Sequence, residues 1–105
     1  MIARVWHGWT SVENADAYEA LLLSEILPGI ARKQIPGYHG AHVFRRDQGH
    51  EVEFVTTMWL DSLDSVVAFV GEDYEEAYVP PEAQALLARF DTRSAHYQVL
   101  QEPAS

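Results

Sequence analysis

Cysteine is absent from the 105-residue chain. That excludes a disulfide framework, a thiolate nucleophile and zinc–thiolate or iron–sulfur chemistry. The absence fits a reducing compartment, and a cytoplasmic location is expected. Positive charge is scarce: seven Lys and Arg stand against sixteen Asp and Glu, a net charge of −9. So acidic a chain offers no footprint for nucleic acid or for an anionic membrane surface. Long apolar runs are missing, so no segment is expected to span a bilayer. Met1-Ile2-Ala3-Arg4 leads straight into strand-like sequence, and no signal peptide is expected. Neither a glycine-rich phosphate loop, a Ser–His–Asp set nor a dinucleotide fingerprint occurs. No cofactor is therefore expected.

What is present is an apolar chain. Hydrophobic residues make up 48%, with three Trp, five Tyr and four Phe, which excludes a disordered polypeptide. The length allows one domain, read as residues 1–100 with a frayed tail at 101–105. A domain of this size buries only about two-thirds of its unfolded surface. Self-association that buries more is a natural solution.

Ile2 to Trp9 is rich in β-branched and aromatic residues and predicts a strand with both faces covered. Thr10-Ser11-Val12-Glu13 matches a capping box and predicts a helix start. Tyr18, Leu22, Ile26 and Ile30 form a stripe through that helix, which Pro28-Gly29 should kink. Tyr38–Arg46 and Glu51–Leu60 flank a short glycine-containing turn and predict a hairpin. Leu63, Val66, Val67 and Val70 predict a second helix, capped by Asp61 or Ser62 and stopped by Gly71. Glu72–Val79 holds one helical turn at most. Pro80-Pro81 opens a third short helix, whose stripe is Ala83, Leu86, Leu87 and Phe90. Thr92–Leu100 is the last strand. The order β-α-β-β-α-(α)-β predicts an α+β fold, a ferredoxin-like βαββαβ sandwich. Its four-stranded antiparallel sheet would carry helices on one face. The other face would expose Val, Phe, Trp and Tyr, so a homodimer through the sheet face is expected.

The segments MIARVWHGWT, LPGIARKQIPGYHGAHVFRRD, EFVTTMWLDSLDSVVAFVGED and HYQVL resemble the antibiotic biosynthesis monooxygenase family over residues 1–100. The most specific piece is Trp59-Leu60-Asp61-Ser62-Leu63, where a strand ends in Trp and a helix begins. The resemblance implies a dimeric α/β barrel. It also implies a cofactor-independent monooxygenase acting on a small aromatic or polyketide-like substrate, with a His or Tyr as base. The alternative is a non-catalytic small-molecule-binding or stress-response dimer. The heme-degrading branch of that family places an Asn, a Trp and a His near His7, Phe69 and Tyr78. All three differ here, and no His lies between His50 and His96, so heme degradation is not expected.

Among the five His, His39 and His42 are three apart in a strand and point to opposite faces, and His50 sits in a turn. No metal site is expected. His7 on the first strand and His96 on the last are candidate catalytic groups, since imidazole titrates near neutrality. Tyr97 joins them. The plainer alternative is a hydrogen-bonded structural histidine. By its place in the family resemblance, His7 is expected to face the pocket. Trp59, Phe69 and Tyr78 are candidate walls for a flat ligand, against the alternative of core and interface packing. Trp6 and Trp9 have opposite parity, so at most one of them faces a given cavity. Arg4, Arg45, Arg46 and Arg93 are strand arginines, one of which could hold a carboxylate or phenolate; Arg45 is the chosen candidate. Glu72 to Glu76 lacks calcium-loop spacing and reads as a solvated helix end.

Overall fold

Strand β1 (Ile2–Thr10) is the centre of an open antiparallel sheet. Along one edge it pairs with β3 (Val52–Leu60) over its whole length, from Ile2 opposite Leu60 to Thr10 opposite Val52. Beyond β3 lies β2 (Tyr38–Asp47), its hairpin partner. The other edge of β1 is covered in two pieces. β4 (Leu87–Phe90) pairs with Gly8–Thr10, and β5 (Ala95–Gln98) pairs with Ile2–Val5. The computed structural model describes residues 1–103. Gln101, Glu102 and Pro103 are exposed and irregular; the last two residues of the expected tail, 104 and 105, lie outside the described ones.

β4 was not expected. The helix opened by Pro81 stops at Leu86 (α4, Pro81–Leu86), and Leu87 turns extended at φ −82°, ψ 136°. The cause is backbone pairing. A helix of two turns gains little by itself, whereas the edge of β1 at Gly8–Thr10 needs hydrogen-bond partners. Leu87–Phe90 supplies them.

The first helix also begins later than the sequence suggests. Residues 12–14 form a turn in which Ser11 Oγ accepts from Asn14 N at 3.1 Å, and α1 is Ala15–Leu21. Thr10 Oγ1 is buried without a partner, so no capping box forms. The chain continues as helix through a π-helical turn (Leu22–Ile26) into α2 (Leu27–Arg32). There the Leu27 N–H bonds to Leu22 O, five residues back, immediately before Pro28. Pro28 has no N–H to offer, and the widened turn accommodates it where a kink was expected. Helix α3 (Leu63–Val70) is as expected: Ser62 Oγ accepts from Ser65 N, and Gly71 ends it at φ 96°. The 72–76 segment is solvated but forms bends and a turn where a helix end was expected, and its Asp73 and Glu75 form ion pairs with Arg93 at 2.7 and 3.2 Å.

Strand alternation divides the sheet. Arg4, Trp6, Gly8 and Thr10 of β1, with Val52, Phe54, Thr56, Met58 and Leu60 of β3, face the helices. Val5, His7, Trp9, Val55 and Trp59 face the other way, where the single chain places no helix. The core under the helices is in two clusters. One holds Ala15, Tyr18, Leu22, Val52, Phe54 and Ala83; the other holds Ile30, Ile35, Met58, Leu60 and Val66. Between Phe54 and Met58 stands Thr56, and over that gap lies the π-helical turn.

Candidate functional site

The gap between the two core clusters is a cavity. Its volume is about 50 Å³. That is well below the roughly 300–1,000 Å³ of most ligand pockets, so a ring can enter only as side chains of the wall move aside. Its walls are mostly apolar: Leu22, Ile26 and Leu27 from the helix, Met58 from β3, and Trp6 from β1. The Trp6 indole is fixed, because its Nε1–H donates to Asp91 O at 2.8 Å. Gly8 makes room for it, since a Cβ there would meet the six-membered ring of Trp6. Tyr18 packs edge-on to Phe54 at 4.9 Å, and burial pushes its hydroxyl up to about 12. Phe69 of α3 and Tyr78 meet edge to face at 5.5 Å and form the mouth.

Among the described residues the one charged group in the wall is Arg4, which is 3% exposed. Its Nη1 donates to Tyr74 O at 2.6 Å and to His96 Nε2 at 2.9 Å, and its Nη2 donates to Glu76 O at 2.8 Å. Its partners are thus neutral. Among the described residues no carboxylate pairs with it, whereas the exposed Arg45, Arg89 and Arg93 all have carboxylate partners. Burial lowers the Arg4 guanidinium to about 10, so it keeps its charge at neutral pH. Because an arginine only donates, His96 Nε2 is the acceptor and the ring hydrogen sits on Nδ1. That nitrogen is buried without a partner.

Burial, and then the charge of Arg4, lower the His96 pKa below its ordinary value of 6.5. Below that pH the unfolded chain therefore takes up a proton that the folded chain refuses. Stability present above about pH 6.5 is lost as the pH falls toward the folded value. His96→Gln keeps an acceptor for Arg4 and removes this contribution. The urea midpoint is expected to fall less in the variant than in the wild type between about pH 7 and about pH 5. Equal losses would contradict the assignment.

The residues singled out from sequence separate into groups. Phe69 and Tyr78 line the cavity, and Trp6 lines it while Trp9 does not. His96 reaches it only through Arg4. His7 does not reach it: as an odd-numbered β1 residue it lies on the open face, with Nδ1 2.9 Å from Glu53 Oε2. The expectation that it faces the pocket is corrected by strand parity, and His7 and His96 are on opposite faces of the sheet. Tyr97, opposite Ala3, is also on the open face and is 58% exposed. Trp59 is there too, donating from Nε1 to His42 Nδ1 at 2.8 Å. Arg45 lies outside the cavity and ties β2 to α1 through Asp16 and Glu19 at 2.9 and 3.0 Å. His39 pairs with Asp61 at 2.6 Å. Among the described residues no group of three His, Asp or Glu could hold a metal ion, and no helix is long and apolar enough to cross a membrane. Thr56 and Tyr18 are wall residues that sequence reasoning missed. No model of a known protein family matches the chain, and no curated protein matches it.

Proposed function

We propose that the chain is a ferredoxin-like member of the antibiotic biosynthesis monooxygenase family and binds a small aromatic molecule in the cavity beneath the π-helical turn. The sheet order β2-β3-β1-β4, with β5 also on β1, is compatible with that fold. The observation that carries the reading is the aromatic-walled gap between the two core clusters, with Phe69 and Tyr78 at its mouth. The open sheet face, with Phe44 and Tyr97 more than half exposed, is proposed to pack on that of a second copy.

The proposed reaction is cofactor-independent monooxygenation. An activated phenol or anthrone carbanion reduces dioxygen directly, and the two combine as a peroxide on carbon. Loss of water leaves a carbonyl. One oxygen atom ends in the product and one in water, and the substrate supplies all four electrons. A second reading, binding without turnover, is favoured by one observation: the lone pair of His96 Nε2 is occupied by Arg4, and His7 is on the far face.

Oxygen uptake by the purified protein with anthrones and hydroquinones, without added cofactor, separates the two. Under the oxygenase reading uptake exceeds the blank, and His7→Phe leaves it unchanged. Phe69→Ala, which opens the mouth, lowers it by about tenfold or more through loss of substrate positioning. Binding of the same compounds with no uptake establishes the second reading. Neither binding nor uptake contradicts both.

A further inference from the structure

Arg4, Thr56, Tyr18 and Ser94 line the cavity, and each carries an N–H or O–H donor. Arg4 has five N–H donors, of which three are used on Tyr74 O, His96 Nε2 and Glu76 O. Nε–H and one Nη2–H make none of these bonds. Thr56 is 9% exposed, and its Oγ1 is buried without a partner in the same wall. It lies directly opposite Trp6 in the β1–β3 register, one residue pair along that face from Arg4 opposite Met58. A hydroxyl and a guanidinium are both able to donate, and no Asp or Glu side chain lines the cavity. Outside the mouth the charge has the same sign. Lys33 Nζ sits 4.5 Å from the centre of the Tyr78 ring and 5.6 Å from that of Phe69. No carboxylate pairs with it among the described residues, although Glu76 lines the same outer depression.

We infer that the cavity takes its ligand as an aromatic oxyanion, a phenolate or a carboxylate, whose oxygen is held by Arg4 and Thr56 and which enters past Lys33 and Tyr78. The inference rests on the reading of the cavity as the ligand site. A desolvated guanidinium with neutral partners is a costly group to keep, and an anion is the partner it lacks. The apolar remainder of the wall suits a ring. For a phenol, binding beside Arg4 favours the ionised form, and the proton leaves to solvent. The site then needs no histidine base, which matches the placement of His7 on the far face and the engagement of His96.

Titration of the wild-type protein into 4-nitrophenol tests this, because the phenol and the phenolate differ in colour. The bound molecule is expected to ionise with a pKa lowered by about one unit or more, a tenfold shift in its ionisation equilibrium. Benzoate is expected to displace it and the neutral isostere benzamide to fail, which tests the carboxylate source separately. Thr56→Val removes an unpartnered hydroxyl, so the variant folds, and it is expected to weaken phenolate binding about tenfold. Binding of 4-nitrophenol with an unchanged or raised pKa, and of benzamide as tightly as benzoate, overturns the inference and leaves the cavity reading intact. Failure of all three compounds to bind overturns both.

Discussion

Arg4→Ala is expected to be among the most destabilising single substitutions in this chain. It leaves the carbonyls of Tyr74 and Glu76 and the Nε2 of His96 without their donor, and it enlarges a cavity. Each buried acceptor left unpaired costs about 1–3 kcal/mol. Removing a desolvated charge offsets part of that, for a net loss of about 2–4 kcal/mol. For a domain near this length, that lowers Tm by roughly 10–25 °C. The reason lies in connectivity: Arg4 is the strut between the central strand, the 74–76 segment and β5. Thermal unfolding followed by circular dichroism reads the effect. A drop of no more than about 2 °C, the size of a neutral surface change, would mean that the loop is held by other contacts, such as Ala77 N to Thr92 O at 3.0 Å.

Val55→Asp is expected to turn a dimer into a monomer. Val55 is at the middle of the open face, opposite His7 on one side and Phe44 on the other. In a two-fold pairing of these faces both copies carry the change, so two unpaired carboxylates are buried in one interface. Each uncompensated buried charge costs about 3–5 kcal/mol, enough to raise a micromolar dissociation constant far beyond working concentrations. The helix-side core is untouched, so the monomer keeps its fold. Sedimentation equilibrium at micromolar concentration is expected to give a dimer for the wild type and a monomer for the variant. A monomeric wild type would remove the barrel from the account.

Local signals in the sequence were sufficient for the hairpin, for α3 with its Ser62 cap and Gly71 stop, and for the proline-led start of α4. Each depends on a few neighbouring residues. β4 was hidden, because Leu87 and Phe90 continue a helical stripe and only the unpaired edge of β1 turns them extended. The orientation of β1 was hidden for a related reason. Both parities are apolar, with Trp6 on one and Trp9 on the other, so composition does not say which face meets the helices. That choice decides the site: it puts Arg4 in the wall and His7 outside. The place of Arg4 was hidden for the same reason. Arg45 is on the edge strand, with carboxylates of α1 within reach, while Arg4 is on the central strand and on the face that meets the helices. A buried arginine runs against the ordinary distribution of charge, and nothing local in IARVWHGW marks it. Phe69 and Tyr78 stand out only through the family resemblance, and Thr56 carries no signal beyond being a polar residue in an apolar strand.

The three tryptophans provide a direct test of where the ligand goes. The Trp6 indole is in the cavity wall, and those of Trp9 and Trp59 are on the open face. Their Nε1–H groups give separate resonances in a ¹⁵N-resolved NMR spectrum. On titration with benzoate or 4-nitrophenol, the Trp6 indole and the Arg4 Nε–H are expected to shift together and saturate, while Trp9 and Trp59 stay in place. Shifts of Trp9 and Trp59 with Trp6 and Arg4 unmoved would put the ligand on the open face and contradict the cavity as the functional site.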